Sequence, residues 1–113
     1  MPVVRELRKQ LGPFNYNEGA PNYNKDKLVL KPLKTLDNGL KYVGEWNVET
    51  DLREGRGYTI TSYGDLYEGF YMNGYLNGSG RVITYNGTVY EGEFINGYPH
   101  GYGILKCGDG KQY

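Results

Sequence analysis

Tyr67-Glu68-Gly69-Phe70-Tyr71, followed by Asn73-Gly74 and then by Gly78-Ser79-Gly80, decides how this chain folds. Tyr67, Gly69 and Tyr71 fall at a period of two, which places them on one face of a β-strand with Glu68 and Phe70 on the other. Asn-Gly between two extended runs predicts a tight hairpin, because a type I′ turn needs positive φ at both central positions. The run Gly80 to Thr84 then reads as the returning strand, rich in the residue types that strands favour.

The same unit recurs on either side. Tyr42-Val43-Gly44-Glu45-Trp46 precedes it and Tyr90-Glu91-Gly92-Glu93-Phe94 follows, each with its own Gly-x-Gly, at Gly55-Arg56-Gly57 and Gly101-Tyr102-Gly103. Tyr67 to Tyr90 and Tyr90 to Tyr113 are both 23 residues, and a closing glycine (Gly39, Gly64, Gly87, Gly110) stands three positions before each tyrosine. Tyr42 to Tyr67 is 25 residues, and unit one lacks the Asn-Gly of the later units (Asn73-Gly74, Asn96-Gly97), so a wider loop, Asn47 to Glu54, is expected there. Fixed-period self-similarity of this kind is the signature of stacked supersecondary units.

The fold expected is all-β: a single twisted antiparallel meander of six or more strands, built from stacked hairpins. The aromatic positions Tyr42, Trp46, Tyr67, Tyr71, Tyr90 and Phe94 should form a ladder of rings, with glycine between them opening a notch for a neighbouring ring. One hairpin is marginal by itself, so stability should come from neighbours, each buried ring contributing roughly 1.5–3 kcal/mol. Counting back from Gly39 places a capping strand at Leu33 to Asp37. Tyr113 stands in register to begin an unfinished fourth unit, and Cys107 aligns with Thr61 and Thr84 as a small core residue.

These residues resemble the MORN (membrane occupation and recognition nexus) repeat, whose pattern runs Tyr-x-Gly-x-Trp-x-x-Gly with a later Gly-x-Gly. The resemblance covers about residues 38–113. It departs at unit one, which lacks the turn glycine, and at units two and three, where Tyr71 and Phe94 replace the tryptophan. It implies a rod or adaptor in cytoskeletal, ciliary or flagellar (axonemal) assemblies, sometimes self-associating, with phosphoinositide binding as an alternative.

Residues 1–36 lie outside the pattern and residues 37–113 make up the array. Val3, Val4, Leu7 and Leu11 share a face of a short helix that Gly12-Pro13 ends, and at this length it should order only against a sheet or partner. Residues 13–27 read as an extended arm carrying Phe14, Tyr16 and Tyr23. Such an arm could thread along another protein; the alternative is a disordered tail.

Charge and composition narrow the function. Residues 1–41 carry eight Lys or Arg against four Asp or Glu, a balance of +4, and residues 42–113 carry five against nine, a balance of −4. An acidic repeat region argues against nucleic acid and against anionic lipid, leaving only the basic leader to attract a membrane. The opening residues lack a signal peptide's apolar run, and no stretch reaches the roughly 18 apolar residues of a membrane span, so a soluble, cytoplasmic protein is expected. A lone cysteine excludes an internal disulfide and a cysteine-based zinc cluster.

No catalytic, cofactor or metal site is expected. His100 sits beside a turn, and no Gly-x-Gly opens a helix as a phosphate loop would. Glu45, Glu68 and Glu91, one from each Tyr-x-Gly run, read as one solvated acidic row, able to select a basic partner. Glycan binding is disfavoured by the single tryptophan. An enzymatic role would require a catalytic domain joined to this chain. Protein partners in a larger complex, met by the repeat aromatics Tyr42, Trp46, Tyr67, Tyr71, Tyr90 and Phe94 and by Phe14, Tyr16 and Tyr23 of the arm, or a second copy through open sheet edges, are the expected ligands.

Overall fold

The alternation in each Tyr-x-Gly run and the turn that follows it are sufficient to lay down the sheet strand by strand. The computed structural model describes residues 2–106. A helix, α1 (Pro2–Leu11), and an extended arm with one 3-10 turn at Lys25–Lys27 precede seven strands: β1 (Leu28–Thr35), β2 (Lys41–Asn47), β3 (Arg53–Ile60), β4 (Leu66–Met72), β5 (Tyr75–Ile83), β6 (Val89–Ile95) and β7 (Tyr98–Lys106). They form one antiparallel sheet in sequential order, the meander expected. The assignments of Cys107 to a strand and of Tyr113 to a fourth unit fall outside the described residues.

Turn chemistry accounts for the connections. Asn73 and Gly74 have φ of 53° and 87°, and Asn96 and Gly97 have 49° and 85°, as the two-residue hairpins require. Unit one turns instead through Val48–Leu52, where the Asn47 side-chain oxygen accepts from the Glu49 and Thr50 amides at 2.8 and 3.1 Å. The connections holding Gly39, Gly64 and Gly87 repeat one pattern, for example Gly64 N–H to Thr61 O and Thr61 N–H to Asp65 O.

Six glycines run in one row across the sheet: Gly44 pairs with Gly57, Gly57 with Gly69, Gly69 with Gly80, Gly80 with Gly92, and Gly92 with Gly103. Beyond Gly44, Gly69 and Gly92 the register shifts at a bulge. This revises the notch expected at the Tyr-x-Gly glycine. A Cβ on Gly69 would lie 2.6 Å from Ser79 O and 2.8 Å from Gly80 Cα, at φ +153°, so what fills that space is mainly the partner backbone. The rings sit instead over the Gly-x-Gly pairs: Tyr42 over Gly57, Phe94 over Gly80 and Tyr90 over Gly103.

The capping strand also differs from expectation. It spans Leu28–Thr35, not Leu33 to Asp37, and pairs from Leu28↔Asn47 to Thr35↔Lys41 with a bulge between Lys31 and Lys34. Pro32 lies in that bulge, where a missing N–H breaks no ladder, so the strand runs through it. The sheet thus begins inside the segment set apart as the non-repeat arm.

Candidate functional site

Each face of the sheet is covered by different means. On the first face Tyr42, Trp46, Tyr71, Leu76 and Phe94 are buried together, with Tyr67 and Tyr90 half-buried against them. Tyr42 meets Trp46 and Tyr71 edge-on at centroid distances of 5.2 and 5.1 Å, and Tyr90 meets Phe94 at 5.3 Å. The polar tips of Tyr42 and Tyr71 are held, whereas the Trp46 indole Nε1 is buried without a partner. The Tyr42 hydroxyl donates to Glu45 O at 2.8 Å, and the Tyr71 hydroxyl donates to Tyr67 O at 3.0 Å while sharing a 2.7 Å bond with Thr59 Oγ1. Arg53 lies over both rings and anchors to Gly74 O at 2.6 Å. Burial pushes the Tyr42, Tyr71 and Tyr67 hydroxyls up from their ordinary value. Six of the nine residues singled out in the sequence therefore pack the core ladder.

The second face is covered by the chain's own leader. Val4 and Leu7 of α1 pack on Leu66, Ile83 and Val89. Phe14 is buried, and Phe14 and Tyr16 meet the Phe70 ring edge-on at 6.3 and 5.6 Å. The Tyr16 hydroxyl donates to Gly57 O at 2.8 Å; burial, with the Glu68 charge adding to it, raises its pKa to about 12. Further along, Ser79 N–H donates to Gly19 O at 2.8 Å. Tyr23 is half-buried beside Leu28, Glu45 and Arg56, its hydroxyl also raised by burial. The arm that could have served a partner thus lies along its own sheet.

At the centre of this face is a cluster that the sequence reading places in solvent. Glu68 has 0% exposure. Arg81, itself buried, donates Nε and Nη2 to Glu68 Oε1 at 3.1 and 2.9 Å, and Arg8 of α1 donates Nε to Oε2 at 3.0 Å. Arg81 Nη2 also reaches Gly12 O at 2.7 Å, tying the leader down at the end of α1. The expected acidic row is therefore broken: Glu45 stands at the place of Phe70 and Glu93, and Arg81 and the leader's Arg8 enclose Glu68 while the Glu91 side chain stays 53% exposed. One signal was available: Arg81 has no counterpart 23 residues on, where Ile104 stands.

Other aromatics than the repeat rings face outward. Tyr75, Tyr98 and Tyr102 are exposed, the last at 90%, and β7 leaves one edge unpaired among the described residues. His100 is exposed on β7. Among the described residues no group of three His, Cys, Asp or Glu side chains is arranged to hold a metal ion, and no helix is long and apolar enough to cross a membrane.

The family model described as MORN repeat matches residues 67–89 and 90–112. Those spans begin at the tyrosines that open units two and three. No curated protein matches the chain.

Proposed function

Because the chain is a MORN repeat protein, and such repeats are non-catalytic interaction modules, we propose that it is a scaffold that holds protein partners within a larger cytoskeletal or ciliary assembly. The observation that carries this reading is the contrast in covering: the leader seals the second face over units one and two, whereas β6 and β7 present exposed Glu91, Glu93, Tyr98 and Tyr102. Exposed aromatics beside an unpaired strand edge are suited to a protein partner, and that edge also offers a route to self-association. A cytoplasmic location belongs to the same proposal.

Crosslinking of the native protein, followed by identification of the attached peptides, tests it. The expected result is a protein partner crosslinked to the third unit, and recovery of no partner from a cytoskeletal or ciliary preparation would contradict it. The membrane alternative is less well supported, because Val4 and Leu7 are spent on the sheet and the repeats carry the −4 balance. Salt-sensitive co-sedimentation with anionic vesicles, retained after deletion of residues 1–36, would favour lipid instead.

A further inference from the structure

Translation by one 23-residue unit maps the leader's docking site onto a neighbouring cleft. The leader lies on Gly57, Leu66, Glu68, Phe70 and Ile83, joined by Tyr16, Val4, Arg8 and Phe14. The equivalents 23 residues on are Gly80, Val89, Glu91, Glu93 and Lys106, and all five line one cleft of about 460 Å³. Its remaining wall comes from Leu11, Phe14 and their neighbours on the leader itself. The sheet therefore has two adjacent versions of one site. The first is filled in cis.

The second version differs in charge. Glu91 stands where Glu68 stands, but the residue matching Arg81 is Ile104, and the position of Phe70 is taken by Glu93. Arg81 reaches Glu91 only at 3.9 Å, so Glu91 and Glu93 border the cleft with Lys106 as a cation in its lining, and its exposed apolar surface comes from Leu11 and Ile104, Val89 and Phe14 being buried. In the filled site, an arginine from an amphipathic segment supplies the second cation on the carboxylate, and an apolar residue one turn earlier packs beside it.

Resting on the interaction role proposed above, we infer that this cleft binds a basic amphipathic segment of a partner protein. An arginine of that segment meets Glu91 and Glu93, and an aliphatic or aromatic side chain rests on Leu11 and Ile104. The chemistry sought is that of residues 2–16 of this chain. The acidic balance of the repeats steers such a segment in.

The test is titration of the intact chain with a synthetic peptide of residues 2–17, followed by isotope-edited NMR. Saturable binding is expected, with shifts at Val89, Glu91 and Ile104. Glu91→Lys with Glu93→Lys should weaken it at least about tenfold, and Ile104→Asp similarly, while circular dichroism stays unchanged. The same peptide with Arg5→Glu and Arg8→Glu should also lose binding. Absence of binding, or affinity indifferent to Glu91→Lys and Glu93→Lys because the peptide displaces the leader at Glu68, would overturn the assignment. Either result, alongside a crosslinked partner mapped elsewhere, leaves the interaction role standing.

Discussion

Glu68 and Glu91 occupy the same place in successive repeats, yet one is sealed and paired with two arginines while the other is half in water. Their strands, turns and glycine neighbours are alike. What separates them is the leader, which covers Glu68 but meets β6 only at Val89 and leaves Glu91 open, and the loss of the Arg81 equivalent at Ile104. The repeat dictates the lattice of positions, and a segment outside the repeat decides which positions become core. In a chain of near-identical units, functional asymmetry arises from what covers them.

The strongest way to press the comparison is steric. Gly69→Val sets a branched side chain against Ser79 O and Gly80 Cα at a positive φ, between two paired strands. A loss of about 5 kcal/mol is expected, near the whole stability of an ordinary small domain. Gly92→Val meets similar backbone on β7, but an edge strand can shift, so about half that loss should appear in urea unfolding. Equal losses would contradict the view that units two and three differ in restraint.

Charge gives the next contrast. Glu68→Ala leaves Arg81 buried without its carboxylate and should cost about 3–4 kcal/mol. Glu91→Ala should fall within about 0.5 kcal/mol, since its ion pair is long and solvated. Arg8→Ala removes only a half-exposed partner of Glu68 and should cost about 1 kcal/mol, loosening the leader without unfolding the sheet. A thermal melt resolves all three.

A further contrast is set by pH. Tyr16 is raised from its ordinary 10.0 to about 12, so the stability from its protonated hydroxyl is complete below pH 10 and is lost as pH climbs through 12. In that window the arm should loosen, read as faster proteolysis near Gly19. Tyr16→Phe should reduce this response, leaving the part carried by the other buried hydroxyls, Tyr23 of the arm among them.

Much of the fold was legible because it is local: Asn-Gly turns, the period of two and the 23-residue spacing each act over a few residues. The glycine row was not, since Gly44 to Gly103 meet only once strand register is set, and a glycine in sequence does not reveal whether a ring or a backbone comes close. Leu28 to Leu30 escaped because Pro32 reads as a strand breaker until a bulge accommodates it. The ladder rings were found, whereas the Arg8–Glu68–Arg81 cluster was missed because its members are 60 and 13 residues apart. The expected row with Glu45 and Glu91 argued for solvent, and only docking of the leader reverses that.

The central claim is that the leader docks in cis on the second face. Nuclear Overhauser contacts among the Phe14, Tyr16 and Phe70 rings, measured in the intact monomer with mixed isotope labelling to exclude exchange between copies, test it directly. Strong intramolecular contacts, with Phe70 ring protons shifted by the neighbouring rings, are the result expected. Random-coil shifts for Phe14 and Tyr16, with no contact to Phe70, would contradict it.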